Sequence, residues 1–120
     1  MFGCGGDRDR TKRAPMGRTA RCFSDVVILT SDNPRHEDPL VIMRDVEQGL
    51  NDEDLKMSLT PYVKIPDRRL AIGHAIDEAR HSDFVIIAGK GHEDYQIIGD
   101  EIFHFDDREV AREVLAARDL

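Results

Sequence analysis

The sequence predicts an α/β fold: a Rossmann-like, mostly parallel sheet flanked by helices, with one antiparallel hairpin strand. Three observations predict it. Asp25–Thr30 and Phe84–Ala88 carry continuous apolar runs rich in β-branched residues, as strands buried on both faces do. Segments with apolar residues at helical spacing alternate with strand-length runs, which favours a layered, parallel sheet. Near the end, Gly99-Asp100 separates two short strand-like segments, a two-residue hairpin signal.

The elements follow in order. Met1-Phe2-Gly3-Cys4 reads as the tail of a strand and leads into the turn Gly5-Gly6-Asp7-Arg8-Asp9. It is too short for a whole buried strand, so the chain is expected to be an N-terminally truncated piece of a longer protein. Lys12–Phe23 reads as a helix with Met16, Ala20 and Phe23 inward. Asp25–Thr30 is the first full strand. Asp38 is an N-cap with Pro39 at the first helical position, and Leu40, Met43, Val46 and Leu50 share one face. Asn51–Thr60 is polar and reads as a loop, and Tyr62–Ile65 as a short strand. Asp67 caps the next helix, with Ile72, Ala75, Ile76 and Ala79 at helical spacing. Asp83–Ala88 is the second buried strand. Tyr95–Ile98 and Glu101–Phe105 form the hairpin. Asp106 and Glu109 make a capping box that opens a last helix carrying Val110, Ala111, Val114 and Leu115.

The 120 residues are enough for one core and too few for two ordinary domains, so residues 1–120 are read as one partial domain. Seventeen Lys and Arg against 24 Asp and Glu leave a formal charge of −7. A uniformly basic nucleic-acid-binding surface is excluded, and two tyrosines without tryptophan offer little for base stacking. The longest apolar runs are far short of a bilayer span, and no secretory signal is visible. Cys4 and Cys22 form no CxxC pair and read as two reduced thiols. No metal site is predicted. Nor is a catalytic residue: the carboxylates show no glycosidase-like pairing, and no Ser-His-Asp or Cys-His arrangement can be argued. His36, His74, His81 and His104 are scattered and read as surface residues.

Three polar clusters each follow a strand: Gly5-Gly6-Asp7-Arg8-Asp9, Ser31-Asp32-Asn33-Pro34-Arg35 and Gly89-Lys90-Gly91-His92-Glu93-Asp94. In a parallel sheet all three fall at the carboxyl edge, where such folds bind ligands. Arg8 and Arg35 offer planar forks for carboxylates. Glu93 offers an acceptor for an ammonium group, and Asn33 both donors and an acceptor. Gly89 and Gly91 permit close backbone approach. Two arginines and a carboxylate suit an amino acid with more than one carboxylate better than a nucleotide base. Read singly, each cluster is also ordinary loop chemistry: a Gly-Gly turn, an Asp-Asn-Pro turn with a solvated Arg35, and an exposed Lys90 and His92. The GxxxxGK[ST] spacing of a P-loop is absent.

Taken together, these residues are recognisable. Phe2–Asp9 with Lys12-Arg13 and Met16-Gly17, Thr30–Arg35 with Glu37-Asp38-Pro39, Ala88–Gln96, and Phe105–Arg108 resemble the C-terminal domain of the Mur ligase family, nearest its diaminopimelate-adding members. The resemblance covers nearly the whole chain, and the runs AGKGHEDYQ and DNPR are its most specific parts. It implies a domain that presents an incoming amino acid in bacterial peptidoglycan precursor synthesis, in the cytoplasm. It implies meso-diaminopimelate contacts at Arg8, Asn33, Arg35, Gly89 and Glu93. Arg35 would be the discriminating residue, because it meets a distal carboxylate that lysine lacks. Asp7, Asp9, Lys12, Asp32, Lys90 and His92 would line the cleft towards an ATPase domain. ATP, Mg2+ and UDP-MurNAc-dipeptide would be held by domains this chain does not contain, and the chain alone is expected to be inactive. Neither a nucleic-acid nor a membrane partner is expected. Self-association through a truncated sheet edge is expected. A stand-alone module for dicarboxylic amino acids and a folded fragment without activity remain alternatives.

Overall fold

The computed structural model describes residues 1–52 and 60–118. Most of the expected loop at 51–60 therefore lies outside the described residues. The helices are α1 (Arg13–Phe23), α2 (Pro39–Leu50), α3 (Arg68–Glu78) and α4 (Asp107–Arg118). The strands are β1 (Val27–Leu29), β2 (Tyr62–Lys64), β3 (Tyr95–Ile98) and β4 (Glu101–His104). A single 3-10 turn at Arg10–Lys12 runs into α1. The aspartate caps read from the sequence are formed, whereas the Glu109 carboxylate of the expected capping box meets His104 Nε2 at 2.8 Å instead. The Asp38 carboxylate accepts from the Leu40 amide with Pro39 in the first turn, and the Asp67 carboxylate accepts from the Leu70 amide. Asp106 accepts from the Arg108 amide at the start of α4.

β1 pairs with β2 in parallel, Val27 opposite Tyr62 and Leu29 opposite Lys64. On its other side β1 pairs with Phe2, again in parallel. The Phe2 amide donates to the Ile28 carbonyl, and the Thr30 amide to the Phe2 carbonyl. Beyond this, the Ala88 amide donates to the Met1 carbonyl, and the Met1 ammonium to the Ile86 carbonyl. The lateral order is thus 62–64, 27–29, 1–2, 86–88. The antiparallel hairpin β3–β4 forms a second small sheet. It docks on the first through Arg35, whose amide donates to the Ile97 carbonyl and whose carbonyl accepts from the Gly99 amide.

Side-chain alternation along β1 places helices on both faces. Val27 and Leu29 pack with Ile42, Met43, Val46 and Leu50 of α2. Ile28 between them packs with Ala71 and Ala75 of α3, and Ile72 and Ile76 continue into Val110 of α4. Glycines let α1 and α2 approach closely. A Cβ on Gly49 would lie 1.8 Å from the Ala14 carbonyl oxygen, and one on Gly17 would lie 2.3 Å from that of Val46.

Some expected burials are not found. Phe23 is 87% exposed, Met16 and Leu40 are about half exposed, and Leu115 is similar. Arg13 and Gly17 are the buried residues of α1 instead. The Asp83–Ala88 run is extended beside Met1 but is not an assigned strand, and Phe84 and Ile86 are 95% and 72% exposed. A strand is buried on both faces only when other elements pack on each face of it. Here Met1 pairs with it and Ile87 packs against Ile72, Ile76 and Val110, while towards Asp83 the edges of 25–28 and 83–86 part around a cavity of about 450 Å3.

Candidate functional site at the carboxyl edge of the sheet

All three polar clusters meet at the carboxyl edge. Asn33 is their hub and is buried. Its Oδ1 accepts from the Lys90 ammonium at 3.0 Å and from the Ile97 amide at 3.0 Å, and its Nδ2 donates to Glu93 Oε2 at 3.2 Å. Residues 57 to 64 positions apart in sequence thereby share one amide. Lys90 does not line the surface. Its ammonium lies beneath it, fully enclosed, and reaches the Tyr95 carbonyl at 2.7 Å and Asp32 Oδ1 at 3.0 Å as well. Gln96 Nε2 donates to the Asp32 carbonyl at 2.8 Å, which seats β3 on the same loop.

Arg35 has φ of 52°, a left-handed conformation unusual for a residue with a side chain. The hairpin hydrogen bonds on both sides hold it there. Its Nη1 donates to the Gly6 carbonyl at 2.8 Å, while Nη2 and Nε have no partner among the described residues. Gly6 must be glycine, because a Cβ would sit 1.8 Å from the Pro34 carbonyl oxygen. Gly5 is hemmed in as well. A Cβ there would lie 2.9 Å from Arg35 Nη1 and 3.5 Å from Arg8 Cγ. Both arginines thus pass close to Gly5, and the exposed Arg8 has no hydrogen-bond partner among the described residues. Gly89, at φ 114°, lies against the Gly3 carbonyl and the Asp32 carboxylate. The floor is polar and pre-formed, with free guanidinium donors at one side and the Glu93 carboxylate at the other.

The comparisons with known proteins give the family. The family model described as "Mur ligase, glutamate ligase domain" matches residues 1–91. The chain belongs to the Mur ligase family. It is 54% identical over 118 residues to the UDP-N-acetylmuramoyl-L-alanyl-D-glutamate–2,6-diaminopimelate ligase of Geobacillus thermodenitrificans, covering 98% of this chain and 23% of that protein. It is 56% identical over 118 residues to the enzyme of the same name from Synechocystis, covering 98% of this chain and 22% of that one. A solved structure of a ligase of that name superposes with a TM-score of 0.86 at 43% identity, over 99% of this chain and 24% of the other. The chain therefore spans about a quarter of the length of these relatives.

The remaining expected residues of this Mur ligase domain sit around the rim. Asp7 (φ 54°) donates its amide to Glu37 Oε2 at 2.6 Å, and its carboxylate meets His36. Asp9 caps the 3-10 turn, and hydrogen bonds from Thr11 hold its carboxyl below the ordinary range. Lys12 and Gly89 line a groove of about 520 Å3 between α1 and residues 86–89. His92 is exposed and makes no hydrogen bond among the described residues. The structure does not link Asp9, Lys12 or His92 to the Asn33 hub by a hydrogen bond.

Two buried arginines were given no role by the sequence. Arg13 donates to the Gly5 carbonyl at 3.1 Å, to Glu37 at 2.7 and 3.2 Å and to Asp45 at 2.9 Å, anchoring the Gly5 turn from below. The Arg13 guanidinium holds the Glu37 carboxyl below its usual value. Arg68 donates twice to Asp107, at 2.8 and 2.7 Å, and to the carbonyls of Ser31 and Ala88. It joins two strand ends to the first turns of α3 and α4. A cation opposes the positive end of a helix, and the Asp107 carboxylate offsets that. Only the runs Lys12-Arg13 and Asp67-Arg68, beside a turn and a cap, mark these positions in the sequence. Both cysteines are free, and burial pushes the Cys4 thiol up to about 11.

Proposed function

We propose that this edge binds meso-diaminopimelate and presents its amino group for ATP-dependent addition to UDP-MurNAc-L-Ala-D-Glu within a longer bacterial, cytoplasmic ligase of peptidoglycan synthesis. One observation carries the reading: Arg35, held at an unusual φ by the hairpin, has Nη2 and Nε free beside the unpartnered Arg8, while the Asn33–Glu93 pair is fixed on the same floor. Free planar donors at one side suit a carboxylate. A carboxylate at the other side suits an ammonium group, and Glu93 Oε1 has no partner among the described residues. The names of the relatives, which are diaminopimelate ligases, support the same substrate.

In this reading Arg8 and Arg35 take the distal carboxylate, and Asn33, Gly89 and Glu93 take the amino-acid end. The chain's own part is positioning: it holds an amine where an activated carboxyl can meet it. Its residues fit neither a nucleotide nor a Mg2+ site. The P-loop spacing is absent from the sequence. Among the described residues, no group of three or more His, Cys, Asp or Glu is placed to hold a metal ion. ATP and Mg2+ belong to the remainder of the longer enzyme, and the chain alone is expected to ligate nothing.

The test is a titration of meso-diaminopimelate and of L-lysine into the 15N-labelled chain, repeated with Arg35→Ala. Amide shifts at Asn33, Arg35, Gly89 and Glu93 with diaminopimelate, weak or absent with lysine, are expected. Arg35→Ala should weaken binding about thirty-fold, the equivalent of about 2 kcal/mol for one carboxylate fork. Equal binding of lysine and diaminopimelate would overturn the assignment of Arg35. No shifts in a dispersed spectrum would mean that this chain does not hold the site by itself.

A further inference from the structure

We propose that Lys90 is a positioning residue: its buried ammonium fixes which end of the Asn33 amide faces Glu93 and the cleft. This rests on the binding reading above and goes beyond it, since there Lys90 has no stated task. An asparagine amide has two ends of nearly equal size, and its surroundings alone choose between its two orientations. Here three neighbours choose. Lys90 Nζ and the Ile97 amide are both donors, and both meet Oδ1 at 3.0 Å. Glu93 is an acceptor and meets Nδ2 at 3.2 Å. Turning the amide over would set donor against donor twice and oxygen against carboxylate once.

Lys90 is suited to this task and to no direct one. Its ammonium donates to Asn33 Oδ1 and to the Tyr95 carbonyl at 2.7 Å, and forms an ion pair with Asp32 Oδ1 at 3.0 Å. Its side chain is wholly enclosed, so no donor is left for a ligand. Because Asn33 Nδ2 donates to Oε2 of Glu93, that carboxylate is held by one oxygen and keeps the other. The charge under the floor is thereby converted into a donor and an oriented carboxylate at its surface. Removing the ammonium leaves the Ile97 amide as the single donor on Oδ1. The barrier to flipping falls, and Glu93 loses its fixed partner for part of the time.

The test uses the whole chain with Lys90→Met, and a second variant in which Asp32→Asn accompanies Lys90→Met, so that no carboxylate is left buried alone. Two readouts are taken by NMR. The first needs no ligand: the contact between the Asn33 side-chain amide protons and the Glu93 side chain, with the exchange rate of those protons. The second is the diaminopimelate dissociation constant. Both variants are expected to keep a dispersed spectrum, to lose the Asn33–Glu93 contact, and to bind about ten- to hundred-fold more weakly, as loss of a buried charged hydrogen bond does. Lys90→Arg should recover part of the contact. The proposal is overturned if Lys90→Met keeps the contact and binds within about three-fold of the parent chain. It is equally overturned if the double variant binds normally, or if both variants unfold, which would make Lys90 a residue of the fold alone. If the parent chain binds no diaminopimelate, the binding reading fails, and the contact between Asn33 and Glu93 still decides this one.

Discussion

His36 joins two loops through its ring. Nδ1 lies 3.0 Å from Asp7 Oδ2, and Nε2 lies 2.7 Å from Asp100 Oδ1. Facing carboxylates at both nitrogens favour the imidazolium, so its pKa is raised above the ordinary 6.5, with Asp100 the larger cause. The folded value exceeds the unfolded one. The contribution to stability is therefore complete below the ordinary value and is lost as pH rises through the raised one. It is small, because the ring is more than half exposed. An NMR titration of the His36 ring should give a midpoint above 6.5, and Asp100→Asn should move it down; a midpoint at or below 6.5 in the parent chain would refute the bridge. At this scale the sequence was informative where motif chemistry is local. Arg35, Asn33 and Glu93 stood out because turn residues that follow strands collect at one edge. The burial of Lys90, Arg13 and Arg68 was not legible, since a basic residue shows its burial only when its acceptors have been brought from elsewhere.

Helices α2 and α3 were legible almost to the residue, because their caps and apolar stripes agree: Asp38 and Asp67 each accept an amide of the first turn. Their glycines were not legible, and two of them behave oppositely. Gly49 of α2 faces the backbone of α1, where a Cβ would lie 1.8 Å from the Ala14 carbonyl oxygen. Gly73 of α3 has nothing within 4 Å of that position. Helix propensity alone favours alanine at both by about 1 kcal/mol. Packing reverses the sign at Gly49, where α1 and α2 must separate. Gly49→Ala should destabilise by about 1–3 kcal/mol, as overpacking does. Gly73→Ala should stabilise by about 0.5–1 kcal/mol. Urea unfolding of both variants checks this, and a stabilised Gly49→Ala would show that the α1–α2 contact is looser than described.

Across the whole molecule, Arg68 ties the layers together. It spans from α3 to the start of α4 and to the carbonyls that follow β1 and residues 86–88, with no side-chain exposure. Its loss would leave Asp107 as a buried carboxylate without its partner, and would release two strand ends from one another. Arg68→Met should destabilise by about 3–5 kcal/mol, the range for breaking a buried pair from one side. A small loss of stability in urea unfolding, under about 1 kcal/mol, would mean that water replaces the guanidinium. The site should suffer with it, because the loops of Asn33 and Lys90 both leave from the strand ends that Arg68 holds.

The sequence by itself determined the α/β class, the aspartate helix caps, the hairpin and the three clusters at one edge. These depend on local chemistry and on periodicity, which are written along the chain. Only the tertiary structure decided that Phe84 and Ile86 face outward, that α1 buries Arg13 and Gly17 rather than Met16 and Phe23, and that Lys90 lies beneath the floor. Burial is a property of the neighbours a residue acquires. A run of apolar side chains states a preference for the interior, but the strands and helices beside it determine whether there is an interior to enter.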